Sequence, residues 1–539
     1  MKRISLGCLI ALIWLGLLVS ACNLPQSTIP AKDTGQVPTV TKGSRLTTAI
    51  PLAASPSPTV PPGNAGQAPS KDTGQATIGS DGGGDPYFPL LGNGGYDVLH
   101  YTLDLAVDMD ADTIDGTATL EAKTTQALTR FDLDYAGPEV KAVTVDGQAA
   151  DYRQDGSELV ITPPGRLASG QNFTTAVSYS GAPGAGLPAN TPSFSRGWIW
   201  YEQAGYQPKA GTVIPPKPGG VLVAAEPSGQ EAWYPLNETP ADKASYTFRI
   251  TVDKPWVVAA NGIEKSPPVD NGSTRTYLWQ TDEPVAPYLV TLAIANFSEQ
   301  TDTTSGVLVR NFFSEGYPDS AKQGFARLPQ MITYFESLFG PYPFEAYGVV
   351  GHNIRLDFAM ETQTLNVFGS SFTDEGVVSH ELAHSWFGDS VTPYLWRDIW
   401  LNEGFASFAA RMWQEHTLGK DSVSQALHKL YGDLVRNEGH DISIGDPGPD
   451  NIFSTQVYDR GELTLAALRA RLGDDIFFKI LQTYARRFYH ANAATKDFIG
   501  VTEEVSGQNL DDFFQGWLYQ TQMPDIPELG LFRTDFTSN

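Results

Sequence analysis

The chain has 539 residues, too many for one ordinary hydrophobic core, so two or more domains are expected. Hydrophobic residues make up 41% and aromatic residues 11%, which excludes a wholly disordered chain. A net charge of −25 argues against a nucleic-acid partner, which calls for basic patches, and two cysteines exclude a disulfide scaffold or a cysteine-rich metal site.

Lys2 and Arg3 precede an apolar run from Ile4 to Val19, the pattern of a secretory signal. Val19-Ser20-Ala21-Cys22 resembles a bacterial lipobox. That resemblance implies cleavage after Ala21 and acylation of Cys22, hence an exported protein lipid-anchored to the membrane or envelope; a plain signal peptide or signal anchor is the alternative reading. Cys8 would leave with residues 1–21, so the mature chain could form no internal disulfide. No later segment approaches ~20 uninterrupted apolar residues, so none is expected to span a membrane.

Residues 22–86 are rich in Pro, Gly, Ser and Thr and hold no aromatic residue. Such a stretch buries too little apolar surface to offset its chain entropy and reads as a disordered tether. Residues 87–288 show short alternating runs, as in Leu99–Leu105, Thr117–Ala122 and Ser245–Val252, with turns at Asp146-Gly147 and Asn261-Gly262. This predicts an all-β, sandwich-like domain. Residues 289–527 change to helical spacing, with helices expected over 320–340, 374–388, 402–415, 421–437, 460–471, 474–488, 495–506 and 509–519, and a strand-like stretch over 348–368. The fold class is therefore α+β and multidomain. Residues 528–539 read as a C-terminal tail.

The chemistry falls in the helical half. His380-Glu381-Leu382-Ala383-His384 is an HExxH pattern. On a helix, positions i and i+4 share one face, so two imidazoles there can reach one zinc ion. Glu381 follows the first ligand and is the candidate general base toward water at the metal. Glu403, 19 positions after His384, completes HExxH-x18-E. Two neutral imidazoles and one carboxylate leave the fourth tetrahedral position for water, as a catalytic zinc requires.

With its neighbours Ser385-Trp386-Phe387-Gly388-Asp389, Val391-Thr392-Pro393, Trp396, Asp398 and Trp400-Leu401-Asn402-Glu403-Gly404-Phe405-Ala406, this stretch resembles the M1 family of zinc aminopeptidases. The resemblance extends over roughly residues 87–527. It implies a strand-rich N-terminal domain, a mostly helical thermolysin-like catalytic domain, one Zn2+ on His380, His384 and Glu403, and Glu381 as general base. Phe358-Ala359-Met360-Glu361-Thr362 resembles the family's Gly-Ala-Met-Glu-Asn segment, which places Ala359, Met360 and Glu361 at the substrate and gives Glu361 the free α-amine. Phe358 and Thr362 depart from that segment. Glu226, in Glu226-Pro227-Ser228-Gly229-Gln230, matches a second amine-binding acid. Many relatives carry Arg where Glu231 stands. Tyr458, in Val457-Tyr458-Asp459-Arg460-Gly461, matches the tyrosine that stabilises the oxyanion. Many members continue into a large C-terminal helical domain, whereas this sequence stops at Asn539, so a more open cleft is expected.

The expected function is hydrolysis of the N-terminal peptide bond of peptides with a free N-terminus. An inactive peptide-binding lipoprotein, and an endopeptidase or epoxide-opening hydrolase on the same scaffold, are the alternatives. Asp389, Asp398 and Asn402 are candidates to orient the histidines, and the sequence does not choose among them. Trp386, Trp396 and Trp400 read as core, and His352 as a hydrogen-bonded structural residue. The sequence gives no oligomeric state.

Overall fold

The computed structural model describes residues 77–187, 191, 195–203, 218–437 and 442–537. Cys22, the expected signal and all but the last ten residues of the expected tether lie outside these. Among the described residues, no helix is long and apolar enough to cross a membrane.

Strict alternation in Tyr96–Asp108 turns Tyr101, Leu103, Leu105 and Val107 inward, and Phe248, Ile250 and Val252 do the same on Ala244–Asp253. These two strands pair in parallel, His100–Val107 against Ser245–Val252, at the middle of an eight-stranded sheet. A four-stranded sheet built on Leu128–Asp134 and Glu158–Thr162 accompanies it. A third sheet orders Gly197–Glu202, Pro218–Ala224, Leu292–Ala295 and Val257–Ala260. The sandwich-like β region followed by a helical region is thus the observed architecture.

Its limits differ from those read in the sequence. Thr77 already pairs with Leu128, and Asp85 accepts the Trp396 N–H at 2.8 Å, so residues 77–86, read in the sequence as tether, pack onto the fold. Leu292–Ala295 belongs to the third sheet, so the β region runs past Tyr288. This strand is apolar and buried on both faces, and alternation therefore gives no sign of it. The expected tail is also packed: Leu531 is buried, and the Phe536 ring lies against His428 and Tyr431.

The second region opens with a five-stranded sheet in the order Phe297–Asp302, Leu308–Ser314, Ala346–Gly351, Asn366–Phe368, Ala359–Met360. The helices are α1 (Asp319–Lys322), α2 (Leu328–Phe339), α3 (Glu375–Ala383), α4 (Trp400–Leu418), α5 (Lys420–Arg436), α6 (Thr455–Leu472), α7 (Asp474–Arg487), α8 (Thr495–Ser506), α9 (Asp511–Phe514) and α10 (Thr534–Thr537). Pro329 starts a new helix in the expected 320–340 stretch and splits it into α1 and α2. Ser454 accepts the Gln456 N–H and starts α6 five residues before the expected 460, which puts Tyr458 on its first turn.

Two contacts fix α6. Gly404 of α4 and Gly461 of α6 meet backbone to backbone: a Cβ on Gly461 would lie 2.6 Å from the Gly404 Cα, and one on Gly404 2.8 Å from the Gly461 Cα. The buried Arg460 guanidinium donates to the carbonyls of Gly516, Trp517, Gln520, Thr521 and Gln522, tying α6 to the C-terminal segment. Across the two regions, the Tyr201 hydroxyl and Nδ1 of His352 share a hydrogen bond at 2.8 Å, and burial lowers that imidazole to about 3.

Gly461→Ala is expected to force α4 and α6 apart and cost about 1–3 kcal/mol in urea unfolding. His352 has a folded pKa below its unfolded value, so its contribution is present above pH 6.5 and lost as pH falls. Between pH 6.5 and 5, wild type should lose about 2 kcal/mol through this residue, and His352→Asn should show a flatter profile in the same denaturant titration.

Candidate active site

The helix carrying the histidines is anchored at both ends. Asp374 caps α3 by accepting the N–H groups of Gly376 at 3.0 Å and Val377 at 3.3 Å. Asn366 holds its far end through the Glu381 carbonyl at 3.2 Å. His380 lies within α3, and His384 is its C-terminal cap. The chain then turns: the Asp389 N–H donates to the His384 carbonyl at 3.0 Å, and the Gly388 N–H to that of Val391 at 2.8 Å. Gly388 adopts φ 136°, and a Cβ there would lie 3.0 Å from His384 Nδ1. This turn brings the Phe387 carbonyl to accept the Nδ1–H of His384 at 3.1 Å. That bond sets the tautomer whose Nε2 is a bare lone pair.

α4 supplies Glu403. Its Oε2 stands 3.2 Å from His380 Nε2 and 3.7 Å from His384 Nε2, and the two Nε2 atoms are 3.1 Å apart. Ligands at zinc distances on a tetrahedron lie about 3.3 Å from one another. The three donors, two nitrogens and one carboxylate oxygen, therefore fit one zinc ion. Burial pushes the His384 imidazole down to about 4, keeping it neutral. Burial opposes ionisation of Glu403, but His384, His380 and the Tyr458 hydroxyl together hold its carboxyl below the ordinary range.

Three more carboxylates stand close by. Glu361 follows the edge strand Ala359–Met360 and is buried. The Thr362 hydroxyl donates to the Leu365 carbonyl, closing the turn beyond Glu361, so the departing Thr has a local structural task. Phe358 packs against the core. Glu226 follows the strand Pro218–Ala224, in a loop held from beneath by Glu238, whose Oε1 accepts the Gly229 and Gln230 N–H groups, each at 2.7 Å. Glu231 donates its backbone N–H to Glu238 Oε2 at 3.3 Å, and burial and the Glu231 charge raise the Glu238 carboxyl. Among the described residues, Glu226 Oε1 and Glu361 Oε1 have no hydrogen-bond partner. Burial and the Glu361 charge raise Glu226; burial and the Glu403 charge raise Glu361 to about 8. Glu381 is raised by burial and then by Glu361, Glu403 and Asp389. The Tyr458 ring stacks at 6.0 Å on that of His380, and burial among four carboxylates keeps its phenol protonated.

The structure thus brings together His380, His384, Glu403, Glu381, Glu361, Glu226 and Tyr458, with Ala359 and Met360 leading into Glu361. None of the three residues shortlisted to orient the histidines bonds to His384 Nδ1; a backbone carbonyl does so. Asp398 accepts from Thr495, whose hydroxyl also receives the Trp400 indole N–H. Asn402 donates to the Tyr288 hydroxyl at 3.2 Å, which donates to the Gly388 carbonyl at 3.2 Å. Lys243, which no sequence signal singles out, reaches from the β region to the carbonyls of Asp389 at 2.8 Å and Ser390 at 3.1 Å. Trp386, Trp396 and Trp400 are core, and His352 is a structural residue. Gly388→Ala should push His384 off its carbonyl and weaken zinc binding about 10-fold or more in chelator competition.

Residues 325–517 match the model of the peptidase family M1 domain. Aminopeptidase 2 of Candida albicans is 24% identical over 471 residues, 82% of this chain and 49% of that protein. Aminopeptidase M1 of Arabidopsis thaliana is 28% identical over 327 residues, 56% of this chain and 37% of that protein. The chain thus spans about half or less of the length of these curated relatives. A solved structure of a mutant M1 zinc metallopeptidase from Deinococcus radiodurans, bound to a Tyr-Ser-Ala substrate, superposes with a TM-score of 0.72 at 28% identity, covering 82% of this chain and 99% of that one. Sequence, fold and donor set agree that residues 325–517 carry a domain of the peptidase family M1 type.

Proposed function

We propose that the chain is a zinc aminopeptidase using one ion, which hydrolyses the N-terminal bond of peptides whose α-amine is free. The observation that carries this reading is the pair of unpartnered carboxylate oxygens, on Glu226 and Glu361, beside the His380–His384–Glu403 donors. Zinc at those donors would supply Lewis acidity to polarise the scissile carbonyl and make water a competent nucleophile.

The residues of the chain would do the rest. Glu226 and Glu361 receive the α-ammonium, whose charge offsets theirs, and fix the scissile bond one residue from the N-terminus. Glu381 takes a proton from the attacking water and passes it to the leaving amine. A carboxyl raised by burial and by neighbouring charge is well matched to holding that proton between the two steps. Tyr458 donates its hydroxyl proton to the oxygen that becomes negative, an interaction strongest in the transition state. The Glu403 carboxylate engages this hydroxyl in its absence.

Location is part of the proposal. Val19-Ser20-Ala21-Cys22 supports a lipid anchor on Cys22 and action outside the cytoplasm. The full-length chain should incorporate labelled fatty acid and sediment with membranes, and Cys22→Ser should do neither.

The catalytic reading is tested with aminoacyl fluorogenic amides, free and N-acetylated. Free amides should be cleaved at least about 100-fold faster than blocked ones, with activity lost on chelation and restored by zinc. Glu381→Gln should lower kcat by about 10²–10⁴-fold and Tyr458→Phe by about 10²–10³-fold, both with zinc retained. Equal cleavage of blocked and free amides would overturn the amine clamp, and full activity in Glu381→Gln would overturn the base.

A further inference from the structure

Glu403 belongs to two clusters at once. One is the donor set with His380 and His384. The other joins Glu403 to Glu226 and Glu361, whose carboxylate oxygens lie within 4.8 Å of one another. Glu361 is 4% exposed, and its Oε1 and that of Glu226 have no donor among the described residues. No lysine or arginine forms an ion pair with either among the described residues. One zinc at the histidines leaves these two carboxylates uncompensated, because Glu403 is already shared with that ion.

Resting on the amine-binding reading of Glu226 and Glu361, we infer that this cluster is a second cation site. When no α-ammonium is present, Glu226, Glu361 and a bridging Glu403 carboxylate hold a weaker, oxygen-ligated divalent cation, which the substrate amine must displace. The donor chemistry is distinct from that of the first site. Three carboxylates and no imidazole favour a hard ion such as Mn2+ over the nitrogen-preferring zinc. The sharing of one carboxylate places the two ions about 3.5–4 Å apart, the spacing of bridged two-metal sites. Mutual repulsion across that distance makes the second ion the weaker one. Because it occupies the place of the amine, it acts as a competitive inhibitor that raises KM.

The test uses full-length protein loaded with one zinc per chain and titrated with Mn2+ alone, with free manganese followed by electron paramagnetic resonance and zinc by elemental analysis. Zinc should stay in place, since it binds nitrogen donors more tightly than manganese. One further Mn2+ per chain is expected. Glu226→Gln and Glu361→Gln should each weaken it at least about 10-fold while keeping the zinc and the wild-type circular dichroism. Wild type that holds one zinc and takes up no manganese at millimolar concentration overturns the second site and leaves the hydrolase reading standing. Manganese uptake equal in wild type and both variants overturns it as well.

Discussion

Burial of four glutamates around one pair of imidazoles is the constraint on which the rest of this structure depends. Glu226, Glu361, Glu381 and Glu403 raise one another's proton affinity or compete for the same few cations. Placing an unpaired carboxylate in a low-dielectric interior costs several kcal/mol, and only protons, metal ions or ammonium groups return that energy. A site of this kind is costly in the unliganded protein and well suited to gripping a cation and a positively charged substrate end.

The surrounding architecture keeps that arrangement from relaxing. The histidines ride on a short helix held between an aspartate cap and the Asn366 amide, and the turn after it is gripped by Lys243 and Tyr288 from the β region. Glu403 and Tyr458 come from two helices that cross at Gly404 and Gly461, with no side chain between them. Glu226 comes from a loop of the β region that Glu238 holds by its backbone N–H groups. The two regions thus each supply a carboxylate beside the histidines, and neither holds the whole site.

Much of this was legible in the sequence, for definite reasons. HExxH followed by Glu403 is a local signal, since helical periodicity alone puts the two imidazoles on one face. The alternation in Tyr96–Asp108 and Ala244–Asp253 announced the β region because each strand is buried on one face only. The same reasoning fails at Leu292–Ala295, buried on both faces, and so the region's end was misplaced. Long-range contacts were not legible. Nothing near Phe387 shows that its carbonyl, and not Asp389, Asp398 or Asn402, orients His384, because that depends on a turn permitted by the φ of Gly388. Arg460 gave no sign of its role in the sequence, whereas it ties α6 to five carbonyls more than fifty residues away. The apparent tail is packed by Leu531 and Phe536, two apolar residues too widely spaced to show a period.

The most direct measurement is anomalous diffraction at the zinc absorption edge from crystals of the full chain grown with stoichiometric zinc. One strong peak within bonding distance of His380 Nε2, His384 Nε2 and a Glu403 oxygen is expected. No peak there, or a peak elsewhere with the three side chains turned away from one another, would contradict the metal-centred reading of this cleft.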